Sequence, residues 1–274
     1  MNGQAVKHRL RGVVRRFGYD IVPFSPRGSL AGLLRALFAA SNVNCVFDVG
    51  AHYGEYGQFL RELGYTGRII SFEPVGASFA ILQRRCRADP NWTALRMALG
   101  SSDSERAINV MHNTTLSSFL TPSEYSKEWG RRWHGHDDEI ERTEIAEVRR
   151  VDSVFGACVK GLAHPRVYLK MDTQGWDLEV LAGASSCLAS IAALQSEVSV
   201  QPIYDGMPNY VESIAAMNQL GFEVAGMFPV IHDYLLRAVE FDCVMVSTGR
   251  QPSARDGDSV LATARGSVDA RSKV

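Results

Sequence analysis

The stretch VFDVGAHYG, residues 46–54, constrains most strongly how this chain can fold. An apolar run leads through Asp48 into Gly50 and Gly54, a pattern that predicts a buried strand, a tight turn and then a helix. Glycines permit positive φ and leave room for a ligand beside the main chain. In α/β proteins, ligands bind at such turns at the carboxyl ends of strands.

A second acidic residue, Glu73, ends the next apolar segment, RIISFEP. Its spacing from the glycine turn is about that at which such folds place a carboxylate on a ribose. The turn and Glu73 together predict a site for a cofactor that contains a nucleoside.

The charge beside the turn distinguishes between cofactors. A dinucleotide site has the spacing G-x-G-x-x-G, whereas here the spacing is G-x-x-x-G and Asp48 stands two residues before the first glycine. A carboxylate there would repel a pyrophosphate and attract the ammonium and sulfonium of S-adenosylmethionine. The pattern therefore favours S-adenosylmethionine over NAD. The alternative interpretation is two packing glycines beside a helix-capping acid.

Composition limits the class of protein. The chain has 274 residues, of which 46% are hydrophobic, and this fits one well-buried α/β domain. The formal net charge is −1, which does not favour nucleic acid as a partner. The five cysteines include no C-x-x-C pair, which disfavours a zinc site or a disulfide framework and fits a cytoplasmic location.

Strands and helices alternate from residue 45 onward, which predicts a parallel sheet with crossover helices. The predicted strands are 45–49, 68–72, 93–98, 166–171, 191–197, 222–228 and 241–247, the last two forming an antiparallel hairpin. The predicted helices are 29–40 with Ser29 as N-cap, 55–63, 76–87, 176–189 and 209–219. Residues 105–111 and 143–149 are expected to form a second hairpin that encloses a polar insertion.

The predicted organisation is an N-terminal helical extension at 1–42, a domain at 43–248 with an insertion at about 112–142, and a disordered tail at 249–274. The first 20 residues predict a basic amphipathic helix. Its basic residues are Lys7, Arg9, Arg11, Arg15 and Arg16. Such a helix either docks on an anionic membrane surface or packs its apolar stripe on the domain.

The segment VYLKMDTQGWDLEVLAG, residues 167–183, resembles the K-x-D-x-[EQ]-G-x-E-x-x-V/L-x-G motif of the FkbM family of S-adenosylmethionine-dependent methyltransferases. FDVGAHYG, SFEP, TLSSF, LQSEVS and FDCVMVS also resemble that family, over residues 43–248. The resemblance implies a class I methyltransferase (Rossmann-like) fold, an α/β seven-stranded mixed sheet with an antiparallel last strand and helices on both faces. It also implies O-methylation of a hydroxyl on a sugar (glycolipid or glycan) or a polyketide-type natural product.

Two positions depart from the family pattern. Asp177 stands where the family usually has glutamate, and Gln174 stands where many members carry glutamate. Because Gln174 cannot act as a base, the departure favours Asp172 for that role.

The resemblance and the glycine turn together give a set of cofactor-binding candidates. These candidates are Asp48, Gly50, Ala51, Gly54, Glu73 and Ala98. Asp48 is expected to orient the methionine end, and Glu73 to accept both ribose hydroxyls because a carboxylate has two acceptor oxygens. The ALG segment that contains Ala98 is expected to flank the adenine.

Asp172, Glu197 and His112 are the candidates for catalysis. The two acids follow or end predicted strands, so they are expected at the sheet edge where ligands bind. Either Asp172 or His112 is expected to accept the proton of the acceptor hydroxyl, and histidine in general titrates near neutral pH. An alternative role for the two acids is a Mg²⁺ site.

The insertion is expected to recognise the acceptor through aromatic and basic side chains. These are Trp129, Arg131, Arg132, Trp133, His134 and His136. The expected acceptor is a small molecule or a glycolipid and not a nucleic acid, because QPIY at 201–204 lacks a paired N-P-P-Y base-clamping motif. Two alternatives stay open: a nucleic-acid methyltransferase, and a catalytically silent S-adenosylmethionine-binding protein or membrane adaptor.

Overall fold

The computed structural model describes residues 3–19, 21, 24–26, 28–134 and 139–249. It contains two compact units, residues 1–40 and residues 41–274, so the division falls two residues before the boundary predicted at residue 42. From residue 250 on, the predicted tail lies outside the described residues.

The first unit contains α1 (Gly3–Arg16) and α2 (Leu30–Ala40). The backbone N–H of Gly32 donates to Ser29 Oγ at 3.1 Å, which confirms the predicted N-cap. No helix among the residues that the structure describes is long and apolar enough to cross a membrane.

The second unit carries the predicted alternation. Its strands are β1 (Cys45–Val49), β2 (Arg68–Phe72), β3 (Trp92–Leu95), β4 (Ala98–Leu99), β5 (Ser104–Met111), β6 (Ile140–Arg149), β7 (Val167–Met171), β8 (Ile191–Ser199), β9 (Phe222–His232) and β10 (Ala238–Ser247). Its α-helices are α3 (Glu55–Glu62), α4 (Gly76–Cys86), α5 (Glu124–His134), α6 (Val151–Cys158), α7 (Asp177–Ala182) and α8 (Tyr210–Gln219).

The described strands form a seven-stranded main sheet in the order β3-β2-β1-β7-β8-β10-β9. The pairs from β3 to β8 are parallel, and β10 is antiparallel to both β8 and β9. This topology confirms the predicted mixed sheet of the class I methyltransferase fold. Because β1, β2, β7 and β8 are parallel, their carboxyl ends meet at one edge of the sheet.

Both faces of the sheet are covered, as predicted. Strands β1 and β7 are buried along their whole length, which is typical of parallel strands between two helical layers. On one face Phe47 belongs to a core cluster with Leu181 of α7 and Met217 of α8. On the other face the Tyr56 hydroxyl of α3 donates to Gln195 Oε1 of β8 at 2.7 Å.

A three-stranded second sheet, β4-β6-β5, lies beside the main one. Its antiparallel register, from Ser104 opposite Val148 to Met111 opposite Ile140, confirms the predicted second hairpin. The single strand predicted at 93–98 is wrong. The chain turns after Leu95, where the Met97 N–H donates to the Leu95 carbonyl at 3.1 Å, and β4 then pairs with β6 instead of β2.

Two helical predictions also need correction. The helix predicted at 176–189 ends at Ala182, with Gly183 as its C-cap. Gly183 lies so close to Gly100 that an added Cβ would be 2.0 Å from the Gly100 carbonyl oxygen. The N–H groups of Ser186 and Cys187 then donate to the Asp152 carboxylate. Helices α5 and α6 were not predicted; α5 lies in the polar insertion, and α6 has only eight residues.

Candidate active site

A cleft opens at the carboxyl edge of the main sheet. Its walls come from the loops after β1, β2 and β7, from β4 and β5, and from the segment after β5. Four predicted site residues line it: Gly50, Glu73, Ala98 and Asp172. A cleft at this edge agrees with the position that the strand-turn pattern indicated.

Glu73 lies in the cleft wall with 5% of its surface exposed. Its Oε2 accepts the backbone N–H of His52, and its Oε1 accepts that of Val75, each at 2.8 Å. Burial raises the pKa of Glu73 to about 7, although both backbone N–H groups act in the opposite direction. Each oxygen keeps a second lone pair, so the carboxylate can accept two further hydrogen bonds.

Asp48 lies beneath the glycine turn and is not part of the cleft wall. It is fully buried, and its Oδ2 accepts the Ser71 hydroxyl at 2.8 Å. Lys170 Nζ lies 3.7 Å from its Oδ1. The sheet register explains why these three side chains are neighbours, since Asp48 stands opposite Ser71 on β2 and opposite Lys170 on β7. The predicted attraction between Asp48 and a cationic cofactor therefore does not operate at contact distance.

The two glycines of the turn serve different purposes. Gly50 has φ 75°, and a Cβ there would lie 2.0 Å from the Asp172 carbonyl oxygen, so this close approach requires glycine. Gly54 begins α3 and packs against Trp92, and Ala51 is buried. The interpretation of packing glycines therefore applies to Gly54, whereas Gly50 lines the cleft.

Asp172 follows β7 and lies between a cation and an amide. Its Oδ2 accepts from Lys170 Nζ at 3.2 Å, and its Oδ1 accepts from Gln174 Nε2 at 2.9 Å. Burial acts to raise the pKa of Asp172, but Lys170 and Gln174 outweigh it and hold that pKa below its ordinary value. Asp172 is therefore ionised at neutral pH.

Glu197 lies on β8 beside this group but does not line the cleft. Its Oε2 accepts from Gln174 Nε2 at 3.2 Å. Burial, followed by the nearby carboxyl groups of Asp172 and Glu240, raises the pKa of Glu197 well above its ordinary value.

The histidine at the cleft is His52, not the predicted His112. The side chain of His112 is exposed and does not line the cleft, and its backbone N–H donates to the Glu139 carbonyl at 3.2 Å. His52 lines the cleft, and its Nε2 lies 2.9 Å from Thr114 Oγ1. Burial lowers the pKa of His52, which favours the neutral imidazole. Its place inside the glycine turn was the available sequence signal for this residue.

An apolar wall faces these polar groups. It includes Leu99, Ile108, Phe119 and the indole of Trp176. Trp176 Nε1 is buried and has no hydrogen-bond partner among the described residues. Since buried polar atoms are normally paired, this donor is available to a ligand in the cleft.

Residues 48–224 match the family model described as the Methyltransferase FkbM domain. The chain belongs to the FkbM methyltransferase family. Members are S-adenosylmethionine-dependent methyltransferases. No curated protein sequence matches the chain significantly.

Several solved structures are similar to this FkbM chain. Fibrillarin from Aeropyrum pernix, solved with natively bound S-adenosylmethionine, is 12% identical with a TM-score of 0.42, covering 79% of this chain and 73% of that one. An rRNA methylase from Streptococcus thermophilus is 9% identical (TM-score 0.37; 79% and 95% covered). Precorrin-6y C5,15-methyltransferase from Geobacter metallireducens is 9% identical (TM-score 0.36; 78% and 87% covered). Similarities at these TM-scores carry no argument about the acceptor.

The cleft of this FkbM chain fits S-adenosylmethionine. Glu73 would hold the ribose, since both of its oxygens keep acceptor capacity. Ala98 and Leu99 would border the adenine together with the unpaired donor of Trp176. Gly50 lets the main chain approach the ligand without a side chain in the way.

The predicted alternative of a Mg²⁺ site is not supported. The carboxyl groups of Asp172 and Glu197 are bridged by the Gln174 amide, and Asp172 is also paired with Lys170. Mg²⁺ needs several oxygen ligands in octahedral geometry. Within the described ranges, no group of three or more His, Cys, Asp or Glu residues is arranged to hold a metal ion.

The insertion of this FkbM chain contributes less to the cleft than predicted. Trp129, Arg131 and Arg132 lie on α5, and none of them is among the described residues that line the cleft. Trp133 and His134 end that helix, and His136 lies outside the described residues. The insertion instead contributes Thr114, Ser117 and Ser118 to the cleft wall.

Proposed function

We propose that this chain is an S-adenosylmethionine-dependent O-methyltransferase. Its acceptor is a hydroxyl of a sugar, in a glycolipid or glycan, or of a polyketide-type natural product. The observation that carries the proposal is Asp172, an ionised carboxylate in the wall of the cleft that also contains Glu73. Transfer to an oxygen needs a group that accepts the hydroxyl proton, and Asp172 is positioned at the cleft for this role.

S-Adenosylmethionine, when bound, supplies an electrophilic methyl group whose leaving group is neutral. The residues of the chain then have three tasks: to orient the acceptor, to accept its proton and to exclude water. Because the hydroxyl proton becomes strongly acidic as the oxygen gains a methyl group, a weak base such as Asp172 is sufficient if it is held in place. The apolar wall of Leu99, Ile108 and Phe119 limits water in the cleft.

The polar wall supports a polyhydroxylated acceptor. Thr114 and Ser117 offer hydroxyl groups, and Asp172 offers a carboxylate. Such groups accept and donate hydrogen bonds in the pattern that sugar hydroxyls require. His52, with a lowered pKa, adds a neutral imidazole to the same wall.

Two experiments test the proposal in sequence. Calorimetric titration of the purified protein should show binding of S-adenosylmethionine and none of NAD. Transfer of a radiolabelled methyl group to extracts of the source organism, separated into glycolipid, polysaccharide, small-molecule and RNA fractions, should then label one of the first three. Asp172→Asn is expected to lower transfer by a factor of about 10² or more while cofactor affinity is kept. Label confined to RNA, or binding of NAD alone, would contradict the proposal.

We further propose that α1 binds an anionic membrane surface and brings the chain near lipid-linked acceptors. Leu10 and Val13, three residues apart on α1, are 56% and 53% exposed, and Phe17, directly after the helix, is 75% exposed. Residues Gly3–Arg16 carry five Lys or Arg and no acidic residue. Exposed apolar residues beside basic ones are typical of helices that lie in a membrane interface.

Vesicle co-sedimentation tests this membrane contact. The full chain should bind vesicles that contain anionic lipid and should be released by salt, since the Debye length falls to about 3 Å at 1 M ionic strength. Leu10→Ser should weaken binding. Val211→Ser is the matched control, because Val211 is 57% exposed on α8. Equal loss in both variants, or equal binding to neutral vesicles, would contradict the proposal.

A further inference from the structure

Gln174 adopts a backbone conformation that glutamine rarely takes. Its φ is 53°, in the left-handed region, and Gly175 follows with φ 89°. A residue with a Cβ pays a conformational cost there, and such residues persist only where surrounding contacts fix them. The contacts of Gln174 therefore need an explanation beyond the turn itself.

Hydrogen bonds to its main chain and to its amide hold this residue. Ser118 Oγ donates to the Gln174 carbonyl at 2.7 Å. The Tyr204 hydroxyl lies 3.0 Å from Gln174 Oε1 and 2.7 Å from the Leu116 carbonyl oxygen. The amide Nε2 donates to Asp172 Oδ1 at 2.9 Å and to Glu197 Oε2 at 3.2 Å. An amide nitrogen has two hydrogens, so both are used on the two carboxyl groups.

The Gln174 amide holds the carboxyl groups of Asp172 and Glu197 close together, and this affects their charge. Two carboxyl groups whose oxygens lie 2.9 Å and 3.2 Å from the same Gln174 Nε2 repel when both are ionised, which favours a single negative charge on the pair. Lys170 lies 3.2 Å from Asp172, so the negative charge is favoured on Asp172, which lines the cleft. The charged and titratable groups that face the pair are Lys170 on β7, Asp48 on β1, His52 after β1, Asp177 on α7, and Glu240 and Asp242 on β10.

We propose that Gln174 is a positioning residue that fixes Asp172 and Glu197 as a pair with one negative charge, and that directs this charge toward the acceptor hydroxyl. The inference rests on the proposed function, because it assigns the acceptor to the side of the cleft where Asp172 lies. Gln174 touches neither reacting atom in this role. It acts through Asp172, whose Oδ1 it holds.

Two substitutions separate positioning from backbone strain. Gln174→Asn keeps the amide and suits a left-handed residue better, but it is one methylene shorter and cannot reach both carboxyl groups. Gln174→Glu keeps the length but replaces the two donor hydrogens by a third carboxyl group. Gln58→Glu, at an exposed position on α3, is the matched control for the added charge.

Carboxyl ¹³C NMR of the full chain, without cofactor or acceptor, provides the first readout, with Asp172→Asn and Glu197→Gln used for assignment. Gln174→Glu is expected to raise the apparent pKa of Asp172 by at least about one unit, because a third acid adjoins the pair. Gln174→Asn should also raise it, while the melting temperature does not fall. Gln58→Glu should change neither. Titrations of both Gln174 variants that match the parent protein would overturn the proposal.

Methyl transfer to the labelled acceptor fraction provides the second readout. Gln174→Asn should slow transfer about tenfold or more at neutral pH with S-adenosylmethionine affinity kept within about twofold. The pH at which Gln174→Glu reaches half-maximal transfer should rise with the pKa of Asp172. Transfer by Gln174→Asn at the parent rate would overturn the positioning role. If the parent protein fails to bind S-adenosylmethionine, the proposed function fails, whereas the NMR titration still tests the bridge.

Discussion

Lowering the pH from about 8 to about 6 is expected to weaken S-adenosylmethionine binding about tenfold, because Glu73 can accept both ribose hydroxyls only when it is ionised. The two oxygens of Glu73 already accept the N–H groups of His52 and Val75, and the side chain is 5% exposed. A protonated Glu73 would present a donor where the ribose also presents donors. The affinity should therefore follow the ionised fraction of this one side chain.

The magnitude follows from the pKa of about 7 that burial gives Glu73. The ionised fraction is then about nine tenths at pH 8 and about one tenth at pH 6, a difference of roughly 1.4 kcal/mol in binding free energy. The effect on the stability of the cofactor-free protein has the opposite sign. The folded pKa is raised from 4.5, so the stabilising contribution is complete below pH 4.5 and is lost as the pH rises to about 7.

Isothermal titration calorimetry at several pH values and constant ionic strength measures this dependence. Glu73→Gln is the control: its affinity should be lower than that of the parent protein at pH 8 and should lack the tenfold change attributed to Glu73. Any dependence that comes from ionisable groups of the cofactor appears in both proteins and cancels in the comparison. Equal affinities of the parent protein at pH 6 and pH 8, or an unchanged affinity in Glu73→Gln, would refute the assignment.

Three further substitutions test the rest of the site. Lys170→Met should lower the free energy of unfolding by about 3–5 kcal/mol in urea, because it leaves the buried Asp48 without its cation, and adding Asp48→Asn should recover part of the loss. Gly50→Ala should lower the free energy of unfolding by roughly 2–5 kcal/mol, and Gly64→Ala by only about 1–2 kcal/mol. Both glycines have positive φ, but only at Gly50 would the added Cβ also meet a backbone oxygen. His112→Ala should keep methyl transfer within about twofold, since the side chain lies outside the cleft; a loss of about 10² would restore His112 as the base.

The outline of the fold could be predicted because the signals for its strands and turns lie in short stretches of the sequence. Short apolar runs mark β1, β2, β7 and β8, glycine turns follow β1 and β7, and each signal depends on neighbours a few residues away. The same logic placed Glu73 and Asp172 at strand ends, and the structure brings both to one cleft. The split of the predicted strand 93–98 was not visible, since it depends on pairing between Ala98 and Val148, 50 residues later.

The candidate site was predicted less completely. A histidine was expected near the cleft, but His52 and not His112 lines it, because the chain after β5 turns His112 into solvent. The role of Gln174 was not predicted either. Its amide joins Asp172 to Glu197 on the neighbouring strand β8, and no local pattern reports which side chains a sheet register will bring together.

The sequence by itself determined the class of fold, the family and the two acids that line the cleft. The signals for them are short stretches: apolar runs, glycine turns and the VYLKMDTQGWDLEVLAG segment. The tertiary structure decided the charge state of the site. Asp48 stands opposite Lys170, which lies 122 residues further along the chain, so its carboxylate faces a buried ammonium and not the cleft. Because electrostatic energies depend on distance in space and on burial, they become readable only once the strands are in register.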